Sequence, residues 1–289
     1  MSLSILSLAL ISVPVLQHWQ DGKAELASYD LVQPRYGELR KGTAVLIFVT
    51  EPFSEKQRVK ADPGHEPKDV FPAFKLNYVK DFPTGVYDYN LMTSVFVSLN
   101  EKDKRRAGAP VKIAFSGQEW CGMVFDELLF HPDSIARKRF SYFGSEADAQ
   151  EKLTRPPDAI AVDELPILVR GIPAPILKPG ESKKFAVLGS LERARLLHRP
   201  LVHSSGTLSR GRSTRTIEVP AGKFEVEDWT LTIEGGERYA FAVERAFPNR
   251  LIEWTGPEGE SGRLRGVDRM EYWMLNRNGD EKHLQRIGL

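Results

Sequence analysis

The sequence has one cysteine, Cys121, among 289 residues. That scarcity excludes an internal disulfide and any multi-cysteine zinc or iron–sulfur site. It leaves the compartment open, because a chain with a sizeable core does not need cross-links. An excess of one charge is also missing: 40 Lys and Arg stand against 39 Asp and Glu, a net charge of +1. No nucleic-acid partner is therefore expected, since such partners usually go with a basic excess. Past residue 16 no run approaches the roughly 18 uninterrupted apolar residues of a membrane-spanning helix, so none is expected. There is no HExxH, GxSxG or Walker loop, and no GxGxxG after a strand. No cofactor and no metal is therefore expected.

The most apolar stretch lies at the start. Residues 2–16 read SLSILSLALISVPVL, which has the length of a signal-peptide core and is too short to span a bilayer. No Lys or Arg precedes it. Residues 1–16 read either as a truncated signal or leader segment or as a buried N-terminal segment.

Alternation of period two recurs along the chain and marks strands. In FKLNYVKDF, Phe74, Leu76, Tyr78 and Phe82 fall on one face, with Lys75, Asn77 and Asp81 on the other. Trp229, Leu231 and Ile233 alternate likewise, and Glu234-Gly235-Gly236-Glu237 turns them into a strand carrying Tyr239, Phe241 and Val243. That pair predicts an antiparallel hairpin. AVLIFVTE, residues 44–51, is apolar on both faces and predicts a central strand. Further strands are expected near 24–33, 89–98, 111–118, 122–130, 138–143, 183–197, 213–219, 250–255 and 264–275. Helix is expected in two short pieces, at 145–153 after Ser145 and in VDELPILVRG, where Asp163 would cap and Gly171 would stop. The chain thus divides into a β-rich half at 17–143, a proline-rich connection with short helices at 144–180, and a second β-rich half at 181–289. The halves form two domains or two walls of one sheet. The fold class is mainly β: a large antiparallel curved sheet or incomplete barrel, with two short helices in the connection.

Three strings in the second half carry a resemblance: DELPILVRGIPAPILKPGE, VPAGKFEVEDWTLTI and RYAFAVERAFPNRLIEWTG. Over roughly residues 160–275 the chain resembles the exported bacterial proteins called domain of unknown function 3108. The resemblance implies an incompletely closed antiparallel barrel akin to the periplasmic lipoprotein carriers, and no catalytic residues. In the first half, HWQDGKAELASYDL, YGELRKGTAVLIFVTE and SGQEWCG are similar to uncharacterised exported proteins sometimes labelled septum formation inhibitor Maf. That label is not supported here, because the Ser-x-Ser-Pro-Arg-Arg phosphate motif of Maf enzymes is missing and the strand pattern is wrong for their fold.

Candidate sites are few. Cys121 reads as a packing residue, with a nucleophile or a redox or adduct site as the alternatives; His131 lies ten residues on, and no turn between them would fold it back. Alternation puts Glu119, Cys121, Met123 and Phe125 on one face, so an inward Glu119 needs an Arg partner and reads as half of an ion pair before it reads as a catalytic acid. Asp62, His65, Glu66 and Asp69 cluster in a loop and read as solvated polarity, and His198 and His203 point apart on a strand. The basic strings Lys102-Asp103-Lys104-Arg105-Arg106 and Arg210, Arg212, Arg215 read as solvated surface before a phosphate site. Trp229, Tyr239, Phe241, Trp254, Tyr272 and Trp273 crowd the second half, either as core or as the lining of an apolar ligand cavity. The function expected from these features is an exported, soluble, periplasmic, non-enzymatic envelope protein. It would bind a lipid or other apolar molecule on a concave sheet face. The alternatives are an enzyme built around Cys121 and Glu119, or an assembly factor that binds an envelope protein by its strand edges.

Overall fold

A computed structural model describes residues 17–102 and 105–289. The N-terminal apolar run, residues 1–16, lies outside the described residues.

Fifteen strands follow one another almost without interruption. In the first half they are β1 (Ala24–Arg35), β2 (Glu38–Ser54), β3 (Val70–Pro83), β4 (Asp88–Ser98), β5 (Pro110–Glu119), β6 (Gly122–Phe130), β7 (Ser134–Ser141) and β8 (Ala149–Thr154). A connection then carries the short β9 (Ile160–Ala161), helix α1 (Leu165–Leu168), β10 (Ser182–Leu188) and helix α2 (Leu191–Leu196). The last strands are β11 (His203–Val219), β12 (Gly222–Ile233), β13 (Arg238–Glu244), β14 (Leu251–Thr255) and β15 (Ser261–Met270).

All fifteen belong to one sheet, in the order β8-β7-β6-β5-β4-β3-β2-β1-β15-β14-β13-β12-β11-β10-β9. Every neighbouring pair is antiparallel except β9 with β10. The two meanders join at a seam where β1 pairs with β15, from Ala24 opposite Met270 to Val32 opposite Ser261. The sheet ends at two edges, β8 and β9, and so is not a closed barrel.

It is nevertheless strongly rolled. Tyr78 on β3 and Trp254 on β14 are four strand steps apart, which in a flat sheet would be roughly 19 Å. Their ring centroids are 5.6 Å apart. The turn after β11 also returns to β15, where Ala221 N–H donates to the Leu264 carbonyl at 3.0 Å. Rolling turns one face inward, and period-two alternation fills it. One continuous apolar core contains Leu46, Phe74 and Ile113 from the first meander with Leu208, Trp229 and Phe241 from the second. Leu165, Ile167, Leu191 and Leu196 of the helical connection join the same core.

Two local expectations are corrected. Residues 145–153 do not form a helix; Ala149–Thr154 is the edge strand β8, paired to β7 from Ala149 opposite Arg139. An exposed ladder beside β7 was available, and Arg137 of β7 reaches Glu151 at 3.1 Å; tertiary pairing overrode a modest helical preference. The strand expected over 183–197 stops at Leu188, and Leu191–Leu196 is helical. Ser190 caps that helix by accepting from Arg193 N–H at 3.3 Å. Asp163, expected to cap its own helix, accepts instead from the Leu191 N–H of α2 at 3.0 Å.

Candidate binding face inside the rolled sheet

The inward phase of β3 runs Phe74, Leu76, Tyr78, Lys80, Phe82, so one slot in an apolar row holds an ammonium. The Lys80 side chain is 3% exposed. Burying an unpaired ammonium is prohibitively costly, and this one is fully served. Its Nζ donates to Glu192 Oε1 at 2.8 Å, Glu260 Oε1 at 2.7 Å and Gln33 Oε1 at 3.1 Å. Burial alone would lower the Lys80 pKa, but the Glu192 and Glu260 carboxylates outweigh it and hold it well above its ordinary value. These four side chains come from β3, α2, the β14–β15 turn and β1, so they tie the helical connection to both meanders. Lys80 has no local signal that marks it as a hub. Its phase was legible, but partners 112 and 180 residues away were not.

Beside this cluster is a small cavity of about 60 Å³, lined by Tyr78, Tyr239, Phe241 and Trp254 together with Lys80 and Asp163. The Tyr78 hydroxyl and the Trp254 Nε1 are buried with no hydrogen-bond partner among the described residues. Such a space holds a few waters that would serve these two groups; it is far below the roughly 300–1,000 Å³ of ordinary ligand pockets. Burial pushes the Asp163 carboxyl up to about 6, against the pull of the Leu191 N–H.

A second polar group closes one end of the fold, where β1, β3, β5 and β7 run out. Arg195 of α2 pairs with Glu119 at 2.9 Å and Glu146 at 3.2 Å and lies 3.8 Å over the Phe143 ring. Arg35 donates to the Leu196 carbonyl at 2.6 Å and to the Tyr89 hydroxyl at 2.9 Å. Glu119 therefore has the arginine partner that its inward position demanded. Cys121 does not pack: it is exposed. It shares the two-residue turn of the β5–β6 hairpin with Trp120, between paired Glu119 and Gly122, and the alternation that assigned it a buried face stops at the turn. His131 follows β6 at its other end. Nine residues of strand separate it from Cys121, roughly 30 Å, so the two form no dyad.

The six aromatic candidates do not converge on one space. Tyr239, Phe241 and Trp254 line the small cavity. Trp229 is buried under Arg210, whose guanidinium lies 5.2 Å from its ring. Tyr272 packs on a satellite cluster beyond β15, and Trp273 is 43% exposed. In the loop cluster Asp69 accepts from Lys56 N–H at 2.9 Å and lies 3.8 Å from His65. No helix among the described residues is long and apolar enough to cross a membrane.

No family model matches the chain, and no curated protein matches it. Two solved structures are similar over most of its length. One is a β-barrel-like protein of domain of unknown function DUF1849 from Brucella abortus, 10% identical, covering 86% of this chain and 98% of that one, with a TM-score of 0.49. The other is a protein of YmcC-like fold from Bacteroides fragilis, 11% identical, covering 86% of this chain and 96% of that one, with a TM-score of 0.22.

Proposed function

We propose that the protein is an exported, non-enzymatic envelope protein that takes a lipid or other apolar molecule against the inner face of its rolled sheet. The reading rests on one arrangement. The inner aromatic face is covered by the chain's own helical connection, whose two helices are held to the first meander by side chains. These holds are Lys80 to Glu192, Arg35 to the Leu196 carbonyl, Arg195 to Glu119, and Arg170 just after α1 to Glu25 at 2.7 Å. Among the described residues no strand ladder joins the connection to the first meander; β9 and β10 extend the second. Swinging the helices outward would break these pairs, take Leu165, Ile167, Leu191 and Leu196 out of the core, and uncover Tyr78, Phe241 and Trp254 around the small cavity. With the connection in place the remaining cavity is too small for an acyl chain, so ligand entry requires this movement. The exported setting is supported by the resemblance of residues 160–275 to the domain of unknown function 3108 and by the apolar run at residues 2–16.

Native mass spectrometry of protein purified gently from its own host, followed by organic extraction, tests the reading. A stoichiometric lipid or apolar molecule is the expected result. A spectrum without any small molecule, in which partner proteins stay bound, would remove the carrier reading and favour binding by the exposed β8 edge. The same spectrum reports whether residues 1–16 are present.

A further inference from the structure

An antiparallel meander sends the ends of its even-numbered strands to one side. Here β2, β4, β6 and β8 deliver to that side the loops that hold Arg58, then Lys102, Arg105 and Arg106, then His131, then Arg155. Together they line a recess of about 380 Å³. Among the described residues its lining holds five fixed cations and two carboxylates, Glu55 and Asp158, and the exposed Asp158 faces Lys183 at 3.7 Å. The basic string at 102–106 is thus not wholly solvated: the Arg105 side chain is 12% exposed, and Arg58 is 13% exposed.

One carboxylate serves most of this charge. Glu55 accepts from Arg105 Nη1 at 2.9 Å, pairs with Arg58 Nη2 at 3.0 Å and lies 3.7 Å from Lys102. Three further guanidinium atoms of Arg58 and Arg105 are not served by it. Arg58 Nη1, Arg105 Nε and Arg105 Nη2 are buried without a hydrogen-bond partner among the described residues. Among the described residues the Arg155 side chain donates only to the His131 carbonyl, at 2.9 Å, and the Arg106 side chain only to the Ala107 carbonyl, at 3.4 Å. The buried Glu164 of the facing connection interacts with Arg106 and Arg155, but burial pushes its carboxyl up to about 7, so near neutral pH much of its charge is absent. Burial and the neighbouring Arg106, Arg58 and Arg105 lower the Arg155 pKa despite Glu164.

Buried, unserved guanidinium donors cost several times what a made hydrogen bond returns. Crowded like charges add to that cost, and their planar forks match the oxygens of a phosphoryl group. We propose that this recess binds a phosphoryl group, presented either by a free phosphorylated small molecule or by a lipid headgroup. The site lies on the even-strand side of the sheet and is independent of the apolar-ligand reading above.

Titration of the full chain with inorganic phosphate in a calorimeter, and flotation with phosphatidylglycerol vesicles against phosphatidylcholine vesicles, test it. Arg105→Gln and Arg106→Gln are the variants. Arg105 also stacks 4.2 Å from the Phe71 ring, so its loss tests folding as well. Arg106 makes no ion pair among the described residues, and its Gln variant keeps the fold. Saturable phosphate binding, weakened about tenfold or more in Arg106→Gln, supports the site with a soluble ligand. Binding to phosphatidylglycerol vesicles alone, lost in the same variant, supports it with a headgroup ligand. No binding to either probe, or binding unchanged in a folded Arg106→Gln, overturns it.

Discussion

Glu164 lies immediately before α1 and is 1% exposed, with its carboxylate accepting from Ala161 N–H at 3.0 Å. Burial pushes its pKa up to about 7, so the folded chain holds this proton more tightly than the unfolded chain does. Between the ordinary glutamate range and about 7, the folded state binds more protons, and stability therefore falls as pH rises. The contribution is on the order of 3 kcal/mol across that window. Asp163, pushed up to about 6, adds a smaller contribution of the same sign. Urea midpoints taken from about pH 5 to about pH 8 are expected to decline, and Glu164→Gln should flatten most of that decline. A variant with the parent's slope would mean the carboxyl is not the source. Side chains at this scale were only half legible in the sequence. Glu119's need for an arginine followed from an acid placed on an apolar face, but Arg195 as the partner required the fold. Cys121 was misplaced because alternation carries no information through a turn.

Elements were legible wherever local pattern and neighbour pairing agreed. The hairpin from Trp229 to Val243 has the inward faces and the Gly235-Gly236 turn that alternation predicts, with Trp229 opposite Phe241. The misread elements are those whose state is set from a distance. β8 is a strand because β7 offers a ladder, and α2 is a helix because Leu191 and Leu196 find the core while Asp163 serves its first N–H. Cross-strand packing supplies a test at this scale. Trp254 on β14 stands opposite Gly262 on β15, and a Cβ at Gly262 would lie 2.0 Å from the indole ring. The ring therefore rests on bare backbone, a pairing in which an aromatic covers a glycine. Gly262→Ala must displace Trp254 or spread the two strands. It is expected to cost about 1–3 kcal/mol or more, read from the denaturant midpoint, together with a shift in tryptophan emission. A variant with unchanged stability and emission would show that the ring does not lie on Gly262.

At the scale of the molecule, mainly β architecture and an open, curved sheet were readable from strand spacing, but the way the meanders join was not. That junction depends on β1 meeting β15, residues some 240 positions apart in sequence such as Ala27 and Val267. Local pattern holds no trace of a partner so distant. The seam also sets an order in time. A ribosome releases β15 about 240 residues after β1, so β1 keeps an unpaired edge until then, and loop-closure entropy for so long a separation slows its capture. Chains truncated before Ser261 are expected to lose cooperative unfolding and to associate through the bared β1 edge, visible as early elution and light scattering. Monomeric, cooperative truncated chains would show that the first meander stands alone. A fold that locks only when β15 arrives stays open for as long as β15 is withheld, so the timing of one strand governs the folding of the other fourteen.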